Sequence, residues 1–176
     1  WIQAGYTPLD PDEAYYVQFA KRLAWGYFDH PPMVAVLIKA GLAIFPGEFG
    51  VRFFFPVLQT LSFAWLWQLA GSPSGPVQLR LFVLLTAAMP FFHVFGFVAT
   101  PDSPLLFFAV FYCWSLKGLY DRNSWIFSVL LGLSMAGMMY SKYHGVLLIF
   151  FSLLPLWRKW SNIKWITAGL LGLTLF

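Results

Sequence analysis

Apolar runs fill most of the chain after residue 53, and short polar connectors separate them. Several runs are shorter than the about 20 residues that a helix needs to cross the hydrocarbon core. The pattern still predicts an all-α, multi-pass transmembrane bundle over residues 53–176. The predicted spans are roughly Phe53–Ala70, Leu81–Val98, Pro104–Tyr120, Trp125–Tyr140, Val146–Trp157 and a cut-off last one from Lys164 or Trp165.

The longest polar stretch, Asp10–Pro32, lies ahead of these runs and holds four of the seven acidic residues, Asp10, Asp12, Glu13 and Asp29. Asp10 followed by Pro11, with Glu13 three residues after Asp10, is typical of a helix start with a capping box. We therefore expect a helix to begin here.

Apolar residues at helical spacing follow this start. Tyr16, Phe19, Ala20 and Leu23 fall on one face, which predicts an amphipathic helix that ends at Gly26 and lies along the membrane surface. The next run, Met33–Phe45, is too short to span, so we place it in the interface as well. Residues 1–52 are thus predicted to form an outer loop with interfacial helices.

Composition agrees with a membrane protein. The 176 residues are 60% hydrophobic and only 10% charged, whereas soluble domains carry about 25% charged residues. The basic residues are scattered, which argues against a nucleic-acid partner. Because the chain begins at Trp1 and stops at Phe176 within an apolar segment, we expect it to be a fragment of a longer protein.

Lysine and arginine are unevenly divided between alternate connectors, and cytoplasmic loops hold the excess. One set has a single opposing acid, Asp121, and is predicted to be cytoplasmic. The other set is balanced by acids, so Asp10–Pro32, Thr100–Asp102 and Ser141–His144 are predicted to share the outer face. The first set contains Arg80, Lys117, Arg122, Arg158, Lys159 and Lys164.

The Asp12–Glu13 pair has two interpretations. Both acids could simply favour the positive end of the helix dipole in the first turn. However, Asp10 and Glu13 already complete the capping box, so Asp12 is a spare carboxylate that could face a cleft.

Three further positions are candidates for chemistry. Asp102 sits in a very short connector at the membrane boundary, where acids are costly and usually functional, although Asp102 or Ser103 could instead cap the next helix. Lys142 and His144 interrupt an apolar stretch. They could form a wet turn with an outward-pointing lysine, or the cation could hold a phosphate.

Five motifs occur in a fixed order: DEAYY, GYFDHPP, FGVRF, TPDSPLLFF and SKYHGVLL. In this order, and with matching hydropathy, they resemble the N-terminal half of bacterial glycosyltransferase family 39 proteins. These are relatives of the protein O-mannosyltransferases and of the lipid A aminoarabinose and galacturonosyl transferases. The resemblance extends from about Asp10 to Trp157.

The resemblance implies a C-type glycosyltransferase fold and a sugar donor linked to polyprenyl phosphate. The acceptor would be a hydroxyl group of a lipid, glycan or protein, at the periplasmic face of a bacterial inner membrane. By position, Asp12 matches the key acid of the family, with Glu13 beside it, and Asp102 matches the acid between later spans. His30 stands where the aminoarabinose transferases have lysine, which argues against that specificity. Further segments of the family are absent, so we expect this chain to be inactive alone.

The expected mechanism assigns a role to each candidate. Asp12 is the base that takes the acceptor proton, and Lys142 holds the departing phosphate, with Arg52 and His30 as helpers. Asp102 orients a substrate or tunes Asp12. No cofactor is required, although a divalent ion could bridge Asp12 and Asp102. The other residues expected to line the site are Tyr15, Asp29, Tyr143 and His144.

Two other classes of protein remain open from the sequence. A transporter or lipid-flipping protein would also carry charges at membrane depth, but near the midplane of broken helices. A membrane scaffold without enzymatic activity would leave the order of the motifs unexplained. The clustering of acids at one membrane face favours chemistry on a lipid head group.

Overall fold

The structure, a computed structural model, describes residues 2–94, 96–159 and 162–176, and all regular secondary structure in these ranges is helical. The helices are α1 (Ile2–Tyr6), α2 (Pro11–Lys21), α3 (Met33–Ile44), α4 (Gly47–Arg52), α5 (Phe54–Leu69), α6 (Pro76–Ala87), α7 (Pro90–Val94), α8 (Asp102–Arg122), α9 (Trp125–Ser141), α10 (Gly145–Leu153) and α11 (Ile163–Leu175), with a 3₁₀ helix at Leu154–Lys159. The all-α prediction is confirmed for these ranges.

Helix α2 begins as predicted. The Asp10 carboxylate accepts a hydrogen bond from the Asp12 amide at 3.0 Å, and the Asp10 amide donates to Glu13 at 2.9 Å. This is the expected capping box.

The predicted end of α2 at Gly26 was wrong, because the helix ends at Lys21 and the chain then folds back. The Tyr27 ring stacks on Phe19 at 4.0 Å, and its hydroxyl donates to the Phe19 carbonyl at 3.0 Å.

Helices α3 and α4 approach closely through two glycines. A Cβ atom at Gly41 would collide with the Gly50 carbonyl, and one at Gly50 would collide with the Phe45 carbonyl. This contact fixes the short helix α4 against α3. The side chain of Arg52, at the end of α4, is consequently held in the interior.

Among the described residues, one helical stretch is both long enough and apolar enough to cross a membrane. It is Gly47–Leu69, 23 residues in which α4 runs into α5. Only 28% of the most apolar 18-residue part of this stretch is buried within the protein, as expected for a helix that faces lipid. The multi-pass arrangement stays a prediction. Shorter apolar helices are Met33–Ile44, Pro76–Ala87, Trp125–Ser141, Gly145–Leu156 and Ile163–Leu175.

The predicted span Leu81–Val98 was wrong as a single helix. Helix α6 starts earlier, at Pro76, and ends at Ala87, and a separate short helix starts at Pro90. Proline has no amide hydrogen and disfavours helical geometry in the residue before it, so Met89–Pro90 breaks the run. The predicted connector 158–163 lies partly outside the described residues.

Helices α8, α9 and α11 form the main core, and small residues let them approach closely. A Cβ atom at Gly118 would collide with the Phe127 ring, and one at Gly137 with the Phe108 ring. The predicted span Trp125–Tyr140 is confirmed as a helix, α9. The buried side chains of this core are Tyr112, Leu119, Phe127, Leu131, Met135, Met138, Trp165 and Ala168.

Contacts at the helix termini show that α9 and α11 run in the same direction, and the contact between Lys142 and Asp102 shows that α8 runs opposite to them. The Tyr140 hydroxyl donates to the Leu175 carbonyl at 2.7 Å, so α9 and α11 end together. Their starts also meet, because the Ser128 hydroxyl donates to the Lys164 carbonyl at 2.6 Å. The bundle therefore has two ends. The start of α8 and the end of α9 lie at the end that we call the acid end, and the opposite one is the basic end.

This arrangement predicts which positions share a side of the membrane. Single cysteines at the exposed positions Phe28 and His144, in a Cys113→Ala background, should react with an impermeant thiol reagent in intact cells. Cysteines at exposed Ser74 and Gln78 should not react until the membrane is permeabilised.

Equal labelling of all four cysteines before permeabilisation would contradict an antiparallel bundle that crosses the membrane. Labelling of Ser74 and Gln78 alone would invert the orientation that the connector charges predict.

Candidate active site

A buried ion pair joins α2 to the end of α4. The Arg52 side chain is 1% exposed and that of Glu13 is 0% exposed. Arg52 Nε donates to Glu13 Oε1 at 2.7 Å, and Arg52 Nη2 donates to Glu13 Oε2. The geometry is bidentate, which is the strongest arrangement for this pair of groups.

Every donor of this guanidinium is used. Its Nη1 group donates to the carbonyls of Ala4 and Thr7, at 3.1 and 2.7 Å, and Nη2 donates to Pro8 at 3.0 Å. An arginine carries five N–H donors, and the two bonds to Glu13 account for the rest. No donor of Arg52 is left for a substrate phosphate.

The Glu13 carboxylate is equally saturated. Besides the two bonds from Arg52, it accepts from the Ala99 amide at 2.8 Å and from the Asp10 amide at 2.9 Å. Burial alone would raise the pKa of Glu13, but these hydrogen bonds and the Arg52 charge outweigh it and lower the pKa. Glu13 is therefore a buried, charged anchor whose oxygens are all occupied by the protein.

Asp12, the neighbour of Glu13, is in the opposite situation. Its side chain is exposed, and no hydrogen bond to its carboxylate comes from any described residue. Successive helical residues point about 100° apart, given 3.6 residues per turn. Anchoring Glu13 in the interior therefore turns Asp12 outward.

Asp102 and Lys142 meet at the acid end of the bundle. Lys142 Nζ donates to the two carboxylate oxygens of Asp102 at 2.8 and 3.1 Å, and both side chains are about a quarter exposed. The capping alternative for Asp102 was wrong, because the N-cap of α8 is Pro101 and no side chain caps it. The two residues come together because α8 starts where α9 ends.

Tyr16 is a buried tyrosine of α2 whose hydroxyl is influenced by acids from three segments. Burial is the largest cause and, together with the negative charges of Asp12, Asp29 and Asp102, raises the pKa of the hydroxyl to about 12. The sequence indicated Tyr16 only as part of an apolar face, although its position four residues after Asp12 put it on the same side of α2.

The remaining predicted residues surround this cluster. The Tyr15 hydroxyl lies 3.3 Å from Asp29, and the His30 ring lies 5.4 Å from that of Tyr16. The Tyr143 hydroxyl lies against Gly26, which places it beside the loop after α2. His144 is exposed one residue further on.

The described residues contain no group of three or more histidine, cysteine, aspartate or glutamate side chains placed to hold a metal ion. A divalent ion between Asp12 and Asp102 would therefore need water or substrate oxygens as its remaining ligands.

The fold and the site define an all-helical protein, in the ranges described, with acidic side chains gathered at one end of its bundle. A family model described as dolichyl-phosphate-mannose-protein mannosyltransferase matches residues 29–176. The chain belongs to this family of membrane glycosyltransferases, which confirms the resemblance seen in the motifs. Neither the curated proteins nor the solved structures gave a match. The matched range includes Arg52, Asp102 and Lys142, whereas α2 precedes it.

Because every donor and acceptor of the Arg52–Glu13 pair is used, we expect a large loss of stability when one partner is removed. Arg52→Gln should lower the free energy of unfolding by about 3–5 kcal/mol, because it leaves the buried Glu13 charge uncompensated. The exposed Lys39→Gln, which removes the same charge, should change it by less than about 0.5 kcal/mol. Denaturant unfolding of the purified protein measures both. Equal stability of the two variants would show that the pair does not anchor the fold.

The lowered pKa of Glu13 also predicts a dependence on pH. A lowered folded-state pKa contributes stability that is fully present above the ordinary value of 4.5 and is lost as the pH falls through the folded value. Thermal unfolding midpoints between pH 7 and pH 3 should therefore fall more steeply for the natural protein than for Glu13→Gln. The exposed Glu48→Gln is the control and should keep the natural slope. Parallel curves for all three would contradict the prediction.

Proposed function

We propose that the chain forms the acid-bearing part of a glycosyltransferase that moves a sugar from polyprenyl phosphate to a hydroxyl acceptor. The reaction would take place at the outer face of the membrane, toward the periplasm of a bacterium. The observation that carries this proposal is that Glu13, the neighbour of Asp12, binds the Ala99 amide three residues before Asp102, which in turn pairs with Lys142. Family membership supports the reaction class.

Asp12 is the proposed general base. An exposed carboxylate without a hydrogen-bond donor from the described residues can approach an acceptor hydroxyl and take its proton as the new glycosidic bond forms. Glu13, the neighbouring acid, cannot take this role, because its oxygens are occupied by Arg52 and by the Asp10 and Ala99 amides.

Lys142 is the proposed phosphate holder. Its ammonium group has three donors, and two contacts go to Asp102, so the group can still reach a phosphate oxygen. As the bond between sugar and phosphate breaks, negative charge grows on that oxygen, and the fixed cation stabilises it. Asp102 would keep Lys142 in position between turnovers.

The contacts of Arg52 and Glu13 revise their proposed roles. Arg52 was expected to help hold the phosphate and Glu13 to act beside Asp12, yet each is saturated by internal hydrogen bonds. We therefore assign both to positioning. His30 and Tyr143 stay candidates for contact with the donor, because they lie in or against the loop after α2.

The loop after α2 offers an apolar surface for the donor lipid. A cavity of about 260 Å³ is lined by Leu23, Ala24, Trp25, Pro32 and Val36. It lies beside Gly26, which contacts Tyr143, the neighbour of Lys142 in sequence. A polyprenyl chain in this cavity would have its phosphate near the acid end of the bundle.

Asp12→Asn and Lys142→Met, made in the natural full-length protein, separate the two chemical roles. Asp12→Asn keeps size and polarity but removes the proton acceptor, so transfer should fall by about 10²–10⁴-fold while donor binding persists. Lys142→Met removes the charge and should weaken both donor binding and transfer, because charge-assisted bonds to phosphate are strong. Equilibrium binding of polyprenyl-phosphate sugar and initial transfer rates are measured together.

Lys21→Met, on the exposed side of α2, is the matched control and should leave both quantities unchanged. Loss of donor binding in Asp12→Asn, with intact binding in Lys142→Met, would contradict the assignment. That pattern would indicate that a metal ion held by Asp12 anchors the phosphate.

A further inference from the structure

A polar cavity of about 280 Å³ lies at the basic end of the bundle, where α5 and α8 end and α9 begins. Arg122, which helps to line it, follows Asp102 by 20 helical residues, so the cavity is about 30 Å from the acid end at 1.5 Å per residue. The candidate active site does not use it. Its polar side chains are Gln68, Ser72, Lys117, Asp121 and Arg122.

Within the described ranges, one of the two cations of this cavity forms an ion pair and the other does not. Lys117 Nζ pairs with Asp121 at 2.5 Å. The Arg122 guanidinium lies over the Phe127 ring at 5.3 Å and makes no ion pair with any residue of the described ranges. A guanidinium with free donors beside a polar cavity is suited to a planar oxyanion such as a carboxylate or phosphate.

Two further lysines lie at the same end of the bundle, one of them bonded to Asn123, the residue after Arg122. Lys164 Nζ lies 5.6 Å from the Trp125 ring, and Lys159 Nζ lies 5.0 Å from the Tyr120 ring. Tryptophan and tyrosine are enriched where a membrane protein meets the headgroup layer. The combination of these cations with interfacial aromatic rings indicates the depth at which lipid phosphates lie.

We infer that this cavity binds the phosphate headgroup of an anionic phospholipid. The Arg122 fork would pair with the phosphate oxygens, and Lys117 would contribute a second charge-assisted bond. The large apolar side chains of Trp125 and Ile126 are exposed next to the cavity and provide surface for an acyl chain. A soluble anion would leave that surface uncovered, so the lipid is the ligand that uses both features.

Substitution of Asp121 provides a test in which lipid binding should become stronger instead of weaker. Its carboxylate neutralises Lys117 and lies on the cavity wall, so it repels an entering phosphate. Removing this charge should strengthen lipid binding, whereas removing Arg122 should weaken it. An increase in affinity cannot be produced by a variant that fails to fold.

The experiment uses the full chain in zwitterionic phosphatidylcholine nanodiscs with increasing phosphatidylglycerol. Bound phosphatidylglycerol is counted by native mass spectrometry. Arg122→Gln should weaken binding about fivefold, since a basic residue near an anionic surface contributes about 1 kcal/mol. Asp121→Asn should tighten binding, and Arg122→Lys should retain most of it. Arg80→Gln, which removes the same charge from an exposed position outside the cavity, should have no effect.

Three results would overturn the inference. Arg80→Gln and Arg122→Gln could weaken lipid binding equally, which would show that the lipid is attracted by the overall surface charge and not by the cavity. Phosphatidylglycerol could show no preference over phosphatidylcholine. Millimolar inorganic phosphate could displace the lipid completely, which would identify a site for a soluble anion.

Discussion

The buried pair of Arg52 and Glu13 is the contact on which the acid end depends. Arg52 holds the carbonyls of Ala4, Thr7 and Pro8, and Glu13 holds the amides of Asp10 and Ala99. Removing two charges from water costs several kcal/mol per ion and is offset only when every remaining donor and acceptor is paired. The pairing is complete here, so the segments it joins can be positioned only together.

This arrangement divides two adjacent acids between structure and chemistry. Glu13 is fixed in the interior with all its oxygens occupied, and Asp12 is turned outward without a donor from the described residues. The Ala99 amide that Glu13 binds lies three residues before Asp102. One anchor therefore sets the position of both carboxylates that we propose for catalysis, one on α2 and the other at the start of α8.

The sequence was sufficient for features that depend on local order. The capping box at Asp10 follows from residues three apart, and the convergence of Asp102 with Lys142 follows from short connectors between antiparallel helices. The partner of Arg52 could not be predicted, because 39 residues separate it from Glu13 and the capping box already explained that glutamate. The break at Pro90 was visible in the sequence, but the continuous hydrophobicity around it favoured a single span. The influence of acids from other segments on Tyr16 depends on how those segments pack.

The Asp102–Lys142 pair bears on how a phosphate could enter the proposed site. Both side chains are only about a quarter exposed, so each charge is balanced mainly by the other. An arriving phosphate would compete with Asp102 for the same ammonium group and would move a second negative charge next to that carboxylate. In the proposed reaction, donor binding would therefore loosen the contact between Lys142 and Asp102 and leave the Asp102 carboxylate free to orient a substrate hydroxyl.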